Sequence, residues 1–108
     1  MTYNIYTIAY FDKQFKHLSK KYPSLKSDLT NLIKQLQTEP LTGTPLGNDC
    51  HKIRLKITSK GRGKSAGARV ITYVTINETN IYLLSIYDKS EQSSVSDAEL
   101  LRLLDSIK

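Results

Sequence analysis

Tryptophan is absent from this sequence, cysteine and methionine occur once each, and histidine only twice. A lone cysteine, Cys50, cannot close an internal disulfide, which fits a reducing, cytoplasmic setting. No neighbouring side chain completes a Cys/His nucleophile pair around it, so Cys50 reads as a small core residue. No apolar run approaches the ~18 residues that a membrane-spanning helix needs, and no membrane partner is expected. The first residues carry no basic stretch followed by an apolar one, so no signal peptide is expected. His17 falls in a lysine-rich helical pattern and reads as a surface residue. No Cys/His/Asp spacing resembles a metal site, and neither metal nor cofactor is expected. Repeats, linkers and low-complexity tracts are missing too, and residues 1–108 read as a single domain.

Positive charge is what the sequence has in excess. Sixteen Lys and Arg stand against ten Asp and Glu, a formal net charge of +6, which points to a polyanionic partner. The excess is clustered. Lys52, Arg54, Lys56, Lys60, Arg62, Lys64 and Arg69 fall in one short stretch, and no acid occurs between Cys50 and Glu78.

Apolar periodicity divides the chain into elements. Tyr3 to Tyr10 is rich in aromatic and β-branched residues and reads as a first strand. Asp12 is placed to cap a helix bearing Phe11, Phe15, Leu18 and Tyr22. Pro23 ends that helix and opens a second with Leu25, Leu29, Leu32, Ile33 and Leu36 on one face. Pro40, Gly43, Pro45 and Gly47 make a loop with room for a short strand. Ile53, Leu55 and Ile57 then alternate with Lys52, Arg54 and Lys56. Arg69–Asn77 and Ile81–Tyr87 are apolar on both faces, as central strands are, with a hairpin turn at Asn77–Asn80. Ser96 and Glu99 form a capping box, with Val95 and Leu100 as its staple, ahead of a last helix carrying Leu103, Leu104 and Ile107. The expected fold is α+β: a small, mainly antiparallel sheet with two N-terminal helices and a short C-terminal helix.

A strand projects residues i and i+2 from one face, so Lys52, Arg54 and Lys56 share a face while Ile53, Leu55 and Ile57 enter the core. Like charges on one sheet face repel, and a bound phosphate backbone would relieve them. A solvated edge strand kept soluble by cations is the plainer alternative. The glycine-rich segment from Lys60 to Lys64 reads as a mobile phosphate grip or a simple hairpin tip. Gly63-Lys64-Ser65 matches the end of a P-loop, but Thr58 stands where its first glycine belongs, and the segment joins two strands, so nucleotide binding by this motif is rejected.

Adjacent antiparallel strands bring Arg69, at the start of one, towards Tyr87 and Lys89, at the end of the next, beside Arg54 and Lys56. Such a cluster suits metal-free cleavage of RNA, in which the 2′-hydroxyl attacks and cations stabilise the charge on phosphorus oxygens. Tyr87 serves there to stack on a base or to assist proton transfer, or else is a half-buried strand aromatic. His51 has the opposite pleat parity and points away. Glu91 follows the cluster, as a charge partner or a solvated turn carboxylate.

Lys60-Gly61-Arg62-Gly63-Lys64-Ser65-Ala66-Gly67-Ala68-Arg69-Val70-Ile71-Thr72-Tyr73, followed by Ile81-Tyr82-Leu83-Leu84-Ser85-Ile86-Tyr87-Asp88-Lys89-Ser90-Glu91, resembles the signature of the RelE/HigB-type toxins of the RelE/ParE superfamily. The flanking helices extend the resemblance over nearly the whole chain. It implies the toxin of a type II toxin–antitoxin system, a ribonuclease that cleaves messenger RNA on the ribosome and is neutralised by a cognate antitoxin. Carried over by position, the family's cationic strand matches Lys52, Arg54 and Lys56, its arginine at the start of the next strand matches Arg69, and its basic residue after the following strand matches Lys89. Together with the reading of the residues themselves, the expected catalytic residues are Arg54, Lys56, Arg69, Tyr87 and Lys89, and the expected RNA-binding residues are Lys52, Lys60, Arg62 and Lys64. Some ribosome-dependent members carry a tyrosine near the C-terminal helix, and here no tyrosine follows Tyr87. The alternatives are a ParE-like inhibitor of DNA gyrase and an inactive RNA-binding relative.

Overall fold

The computed structural model describes residues 2–60 and 67–107. Five strands form one sheet in the order β1-β5-β4-β3-β2, with β1 Asn4–Thr7, β2 Thr44–Gly47, β3 Cys50–Leu55, β4 Ala68–Thr75 and β5 Asn80–Asp88. Among the described residues only the β1–β5 pairing is parallel. Helices α1 Ala9–Lys21 and α2 Leu25–Thr38 follow β1, and α3 Asp97–Asp105 closes the chain. The α+β architecture and central β4 and β5 agree with the sequence pattern. No helix among the described residues is long and apolar enough to cross a membrane.

Each face of the sheet carries its own core. On one, Ile53, Leu55, Val70, Val74, Ile81, Leu83 and Ile86 meet Phe11 and Leu18 of α1 and Leu25, Leu29, Leu32 and Leu36 of α2. On the other, Cys50, Ile71, Leu84 and Tyr87 meet Leu100, Leu103 and Leu104 of α3. The layers are therefore helix pair, sheet, single helix.

Two boundaries differ from the sequence pattern. The first strand stops at Thr7 and α1 begins at Ala9, so Asp12 lies in the first turn and Ile8 is an N-cap without a side-chain hydrogen bond. Burying Phe11 at 1% exposure outweighs the strand preference of Ile8 and Tyr10. Because β1 stops there, it pairs β5 only as far as Leu83. Helix α1 takes its place: Gln14 Oε1 accepts from Ile86 N–H and from the Ser85 hydroxyl, each at 3.0 Å. The second difference is β3, which ends at Leu55 rather than continuing to Ile57, although Ile57 is still buried.

The turns follow their residues. Asn48 and Asp49, both at positive φ, join β2 to β3 in a two-residue hairpin of the twist that suits paired strands. Gly43, at φ 105°, lies so close to β3 that a Cβ would sit 2.6 Å from the Lys52 carbonyl oxygen. Ser96 caps α3 as expected, accepting from Glu99 N–H at 3.1 Å.

Candidate RNA-binding face

The register of the three central strands sets the site. Arg54 on β3 lies opposite Arg69 on β4, and Arg69 opposite Tyr87 on β5. A register shift makes this row possible. Ile71 pairs with Ser85 but Thr72 with Leu83, so Leu84 is an extra residue in β5. The bulge reverses the pleat of β5. Ile81 and Leu83 face α1 and α2, and so does Ile86; Leu84 and Tyr87 face α3. Without the bulge, Tyr87 would share the face of Ile81 and Leu83. With it, Tyr87 stands beside Arg69. Lys52, two residues before Arg54, shares this face with Cys50.

Arg69 is 4% exposed. Its guanidinium Nη1 donates to the Ala68 carbonyl at 3.0 Å. Among the described residues no acid forms an ion pair with it, and the residue directly across the ladder is another arginine. A buried cation facing a like charge is unfavourable unless an anion joins it. Tyr87 is also 4% exposed, and its hydroxyl is a buried polar group without a hydrogen-bond partner. Burial pushes the phenol pKa up, and the Glu99 carboxylate adds to this against the opposing Arg69 charge. Tyr87 is therefore a neutral phenol with an unused proton. Lys89, half-buried just past β5, donates its backbone N–H to the Gly67 carbonyl at 3.1 Å. A Cβ on Gly67 would lie 2.5 Å from the Leu55 carbonyl oxygen, so glycine permits the close approach of the chain to β3 here.

The expected site residues do not all gather. Arg54, Arg69 and Tyr87 form the row, with Lys52 and Lys89 along the same strands. Lys56 lies past the end of β3, beyond the strand expected to carry all three cations. With Arg54 it borders a groove against Asp28, Asn31 and Gln35 of α2. Burial opposes ionisation of Asp28, but hydrogen bonds from Thr58 and Ser24 and the Lys56 charge outweigh it and hold the carboxyl below its usual range.

Lys60 is tied to the α1 side of the sheet: its Nζ lies 3.0 Å from Asp88 Oδ1 and 5.3 Å from the Tyr22 ring centroid. Asp88, 1% exposed, faces the α1 side and also accepts from the Tyr22 hydroxyl at 2.6 Å and from Ser90 N–H and hydroxyl at 3.0 and 2.7 Å. Burial works against its charge, yet these bonds and the Lys60 ammonium hold its carboxyl far below the usual range. The 3₁₀ turn Thr58–Lys60 is likewise bound to α2 through Asp28 and Ser24. Arg62 and Lys64 lie outside the described residues.

The remaining residues weighed from the sequence fall into plain places. His51 is buried on the face opposite the row, as pleat parity requires. Glu91 is an exposed turn carboxylate 3.5 Å from Lys21 Nζ. Burial, with a smaller push from Asp49, raises the Cys50 thiol pKa to about 11, in keeping with a core role. Sequence reasoning missed the cleft between α1 and β5, whose lining includes Lys13, His17 and Tyr87. The lysine spacing on α1 was its available signal.

A protein-family model described as the RelE toxin of the RelE/RelB toxin–antitoxin system matches residues 8–106. Three solved structures share the fold. The free Escherichia coli toxin RelE, in a doubly substituted form, superposes with a TM-score of 0.67 at 16% identity, over 94% of this chain and 97% of its own. The Mycobacterium tuberculosis RelBE2 toxin–antitoxin complex gives 0.61 at 17%, over 82% and 99%. The intact Escherichia coli RelBE complex gives 0.51 at 20%, over 80% and 95%.

Proposed function

The chain belongs to the RelE toxin family, and from that membership we propose that it is a metal-independent endoribonuclease whose scissile phosphate binds across the Arg54–Arg69–Tyr87 row. The observation that carries the proposal is Arg69: a buried guanidinium without an acid partner among the described residues, facing Arg54 directly across the ladder. A phosphodiester supplies the missing negative charge, and its growing charge in the transition state strengthens the same contacts.

The reaction needs only the substrate's own nucleophile. The ribose 2′-oxygen attacks phosphorus, the bond to the 5′-oxygen breaks, and the products are a 2′,3′-cyclic phosphate and a 5′-hydroxyl. Arg54 and Arg69 bind the non-bridging oxygens. The high pKa of Tyr87 keeps its proton on the phenol, which suits it to donate to the departing 5′-oxygen and then recover a proton from solvent. This assigns Tyr87 the acid role and removes it as a base. Lys56, beside Arg54, and Lys89, just past Tyr87, flank the row; their charges favour loss of the 2′-hydroxyl proton, which passes to solvent water as Tyr87 gives its own to the 5′-oxygen. Lys52 holds a neighbouring phosphate.

The proposed substrate is messenger RNA engaged with the ribosome in the cytoplasm, and the proposed partner is a cognate antitoxin protein, as in the RelBE complexes that share the fold. The test is cleavage of messenger RNA by the purified protein with and without translating ribosomes, beside Arg69→Ala. New 5′-hydroxyl ends with wild type and none with the variant support the reading. Intact RNA under both conditions refutes it.

A further inference from the structure

We propose that the cleft between α1 and the end of β5 is a nucleotide subsite, which takes one unpaired base of an RNA strand while the strand's phosphates lie along the outer ridge of α1. This inference rests on the ribonuclease reading above and adds a place and a direction for the substrate.

The first support is the make-up of the cleft. It is open, with a volume of about 390 Å³, inside the range of about 300–1,000 Å³ typical of small-ligand sites. Leu18 and Ile86, buried at 3% and 0% exposure, form an apolar floor. Exposed Lys13 and His17 stand on the rim beside the half-buried Gln92. Two carboxylates also line the cleft, but Asp88 is bound by Tyr22 and Lys60 and Glu91 pairs with Lys21. An apolar floor under a polar rim suits a planar base: the floor and the His17 imidazole meet its faces, and Gln92 and Lys13 meet its edge atoms.

The second support is the helix outside the cleft. Lys13, Lys16, His17, Lys20 and Lys21 fall within one arc of α1, opposite the stripe of Phe11, Phe15, Leu18 and Tyr22. From Lys13 to Lys20 the ridge is about 10 Å long. Of these cations, Lys21 is paired, at 3.5 Å from Glu91, and Asp12 is the one acid of the helix. A ridge of this kind attracts a phosphate chain.

The third support is continuity. Tyr87 lines the cleft and also ends the Arg54–Arg69–Tyr87 row. The two adjoin at the sheet edge, where α1 stands beside β5 through Gln14, and the proposed path runs over this edge: the scissile phosphate on the row, the adjacent nucleotide in the cleft and the next phosphates on the ridge. An acidic protein segment would satisfy the ridge but leave the apolar floor unfilled.

The experiment uses the full chain and a non-cleavable probe, a 2′-O-methylated single-stranded RNA hexamer, observed by amide NMR and fluorescence anisotropy. The expected result is shifts at Lys13, His17, Ile86 and Gln92 together with those at Arg54 and Arg69. Lys13→Gln combined with His17→Ala weakens binding about tenfold, within the range for loss of one stacked base, with an unchanged melting temperature because both side chains are exposed. Shifts confined to β3 and β4, or affinity untouched by the double variant, overturn the subsite and leave the ribonuclease reading standing. Absence of shifts anywhere, joined to absence of messenger cleavage, removes both. Cleft shifts produced by poly-glutamate and not by the RNA hexamer assign the cleft to an acidic protein and overturn the proposal.

Discussion

Asp88→Ala removes the acceptor that joins four groups from three parts of the chain: Tyr22 at the end of α1, Lys60 after β3, and the backbone and side chain of Ser90 after β5. The Asp88 side chain is fully buried and the Lys60 side chain is 19% exposed, so the pair is closer to a buried ion pair than to a surface one. Deleting one partner of such a pair costs about 3–5 kcal/mol. At roughly 5 °C per kcal/mol for a domain of this size, the melting temperature should fall by about 15–25 °C. Lys60→Met should cost less, since Tyr22 and Ser90 still hold the carboxylate. Adding Asp88→Asn to Lys60→Met should cost less than the sum of the two, because the two side chains contact each other directly. A pH dependence follows from the lowered pKa of Asp88. Its stabilisation is fully present above the unfolded carboxyl pKa of about 3.9 and is lost as pH falls below that value towards the folded pKa. Wild type should therefore lose its advantage over Asp88→Asn in urea titrations between about pH 4 and lower pH. A loss below about 1 kcal/mol in Asp88→Ala at pH 7, or an Asp88→Asn difference that persists unchanged into acid, would refute the reasoning.

Tyr87→Phe removes a buried hydroxyl that has no partner among the described residues, so stability should stay within about 1 kcal/mol of wild type or rise, while RNA cleavage falls. Equilibrium urea unfolding and a cleavage assay read the two effects. Gly67→Ala forces a Cβ to within 2.5 Å of the Leu55 carbonyl oxygen, so β3 and β4 must part beside the row. Thermal denaturation should show a loss of more than about 1 kcal/mol. Ser96→Ala removes the cap of α3 and should cost about 1 kcal/mol in the same assay. Cys50, buried with its thiol pKa at about 11, should resist alkylation at pH 8 until the protein is unfolded in denaturant, as a timed thiol-labelling series would show.

The parts of this fold legible in the sequence are those fixed by local pattern. Alternation set Ile53 and Leu55 inward and Lys52 and Arg54 outward, and the Ser96 cap marked α3 because both partners lie within one helical turn. What stayed hidden depends on contacts between distant residues. Lys60 reads as one cation among several until Asp88, 28 residues away, is brought against it. The bulge at Leu84 has no glycine or proline to announce it, yet it decides which face Tyr87 takes. Alternation continued past Leu55 placed Lys56 on the strand, whereas β3 ends at Leu55 and the turn at Thr58 is bound to Asp28. The charge cluster was thus visible as a cluster, but its division into a row, an anchor and a groove arises only on folding.

The measurement closest to the central claim is genome-wide mapping of messenger RNA 5′-hydroxyl ends after induced expression of wild type and of Arg69→Ala, with the variant first shown to be folded by thermal denaturation. New ends inside coding sequences with wild type, and their absence with Arg69→Ala, are the predicted result. Growth arrest with intact messages, or the same new ends in both strains, would contradict the assignment of Arg69 and its row to phosphodiester cleavage.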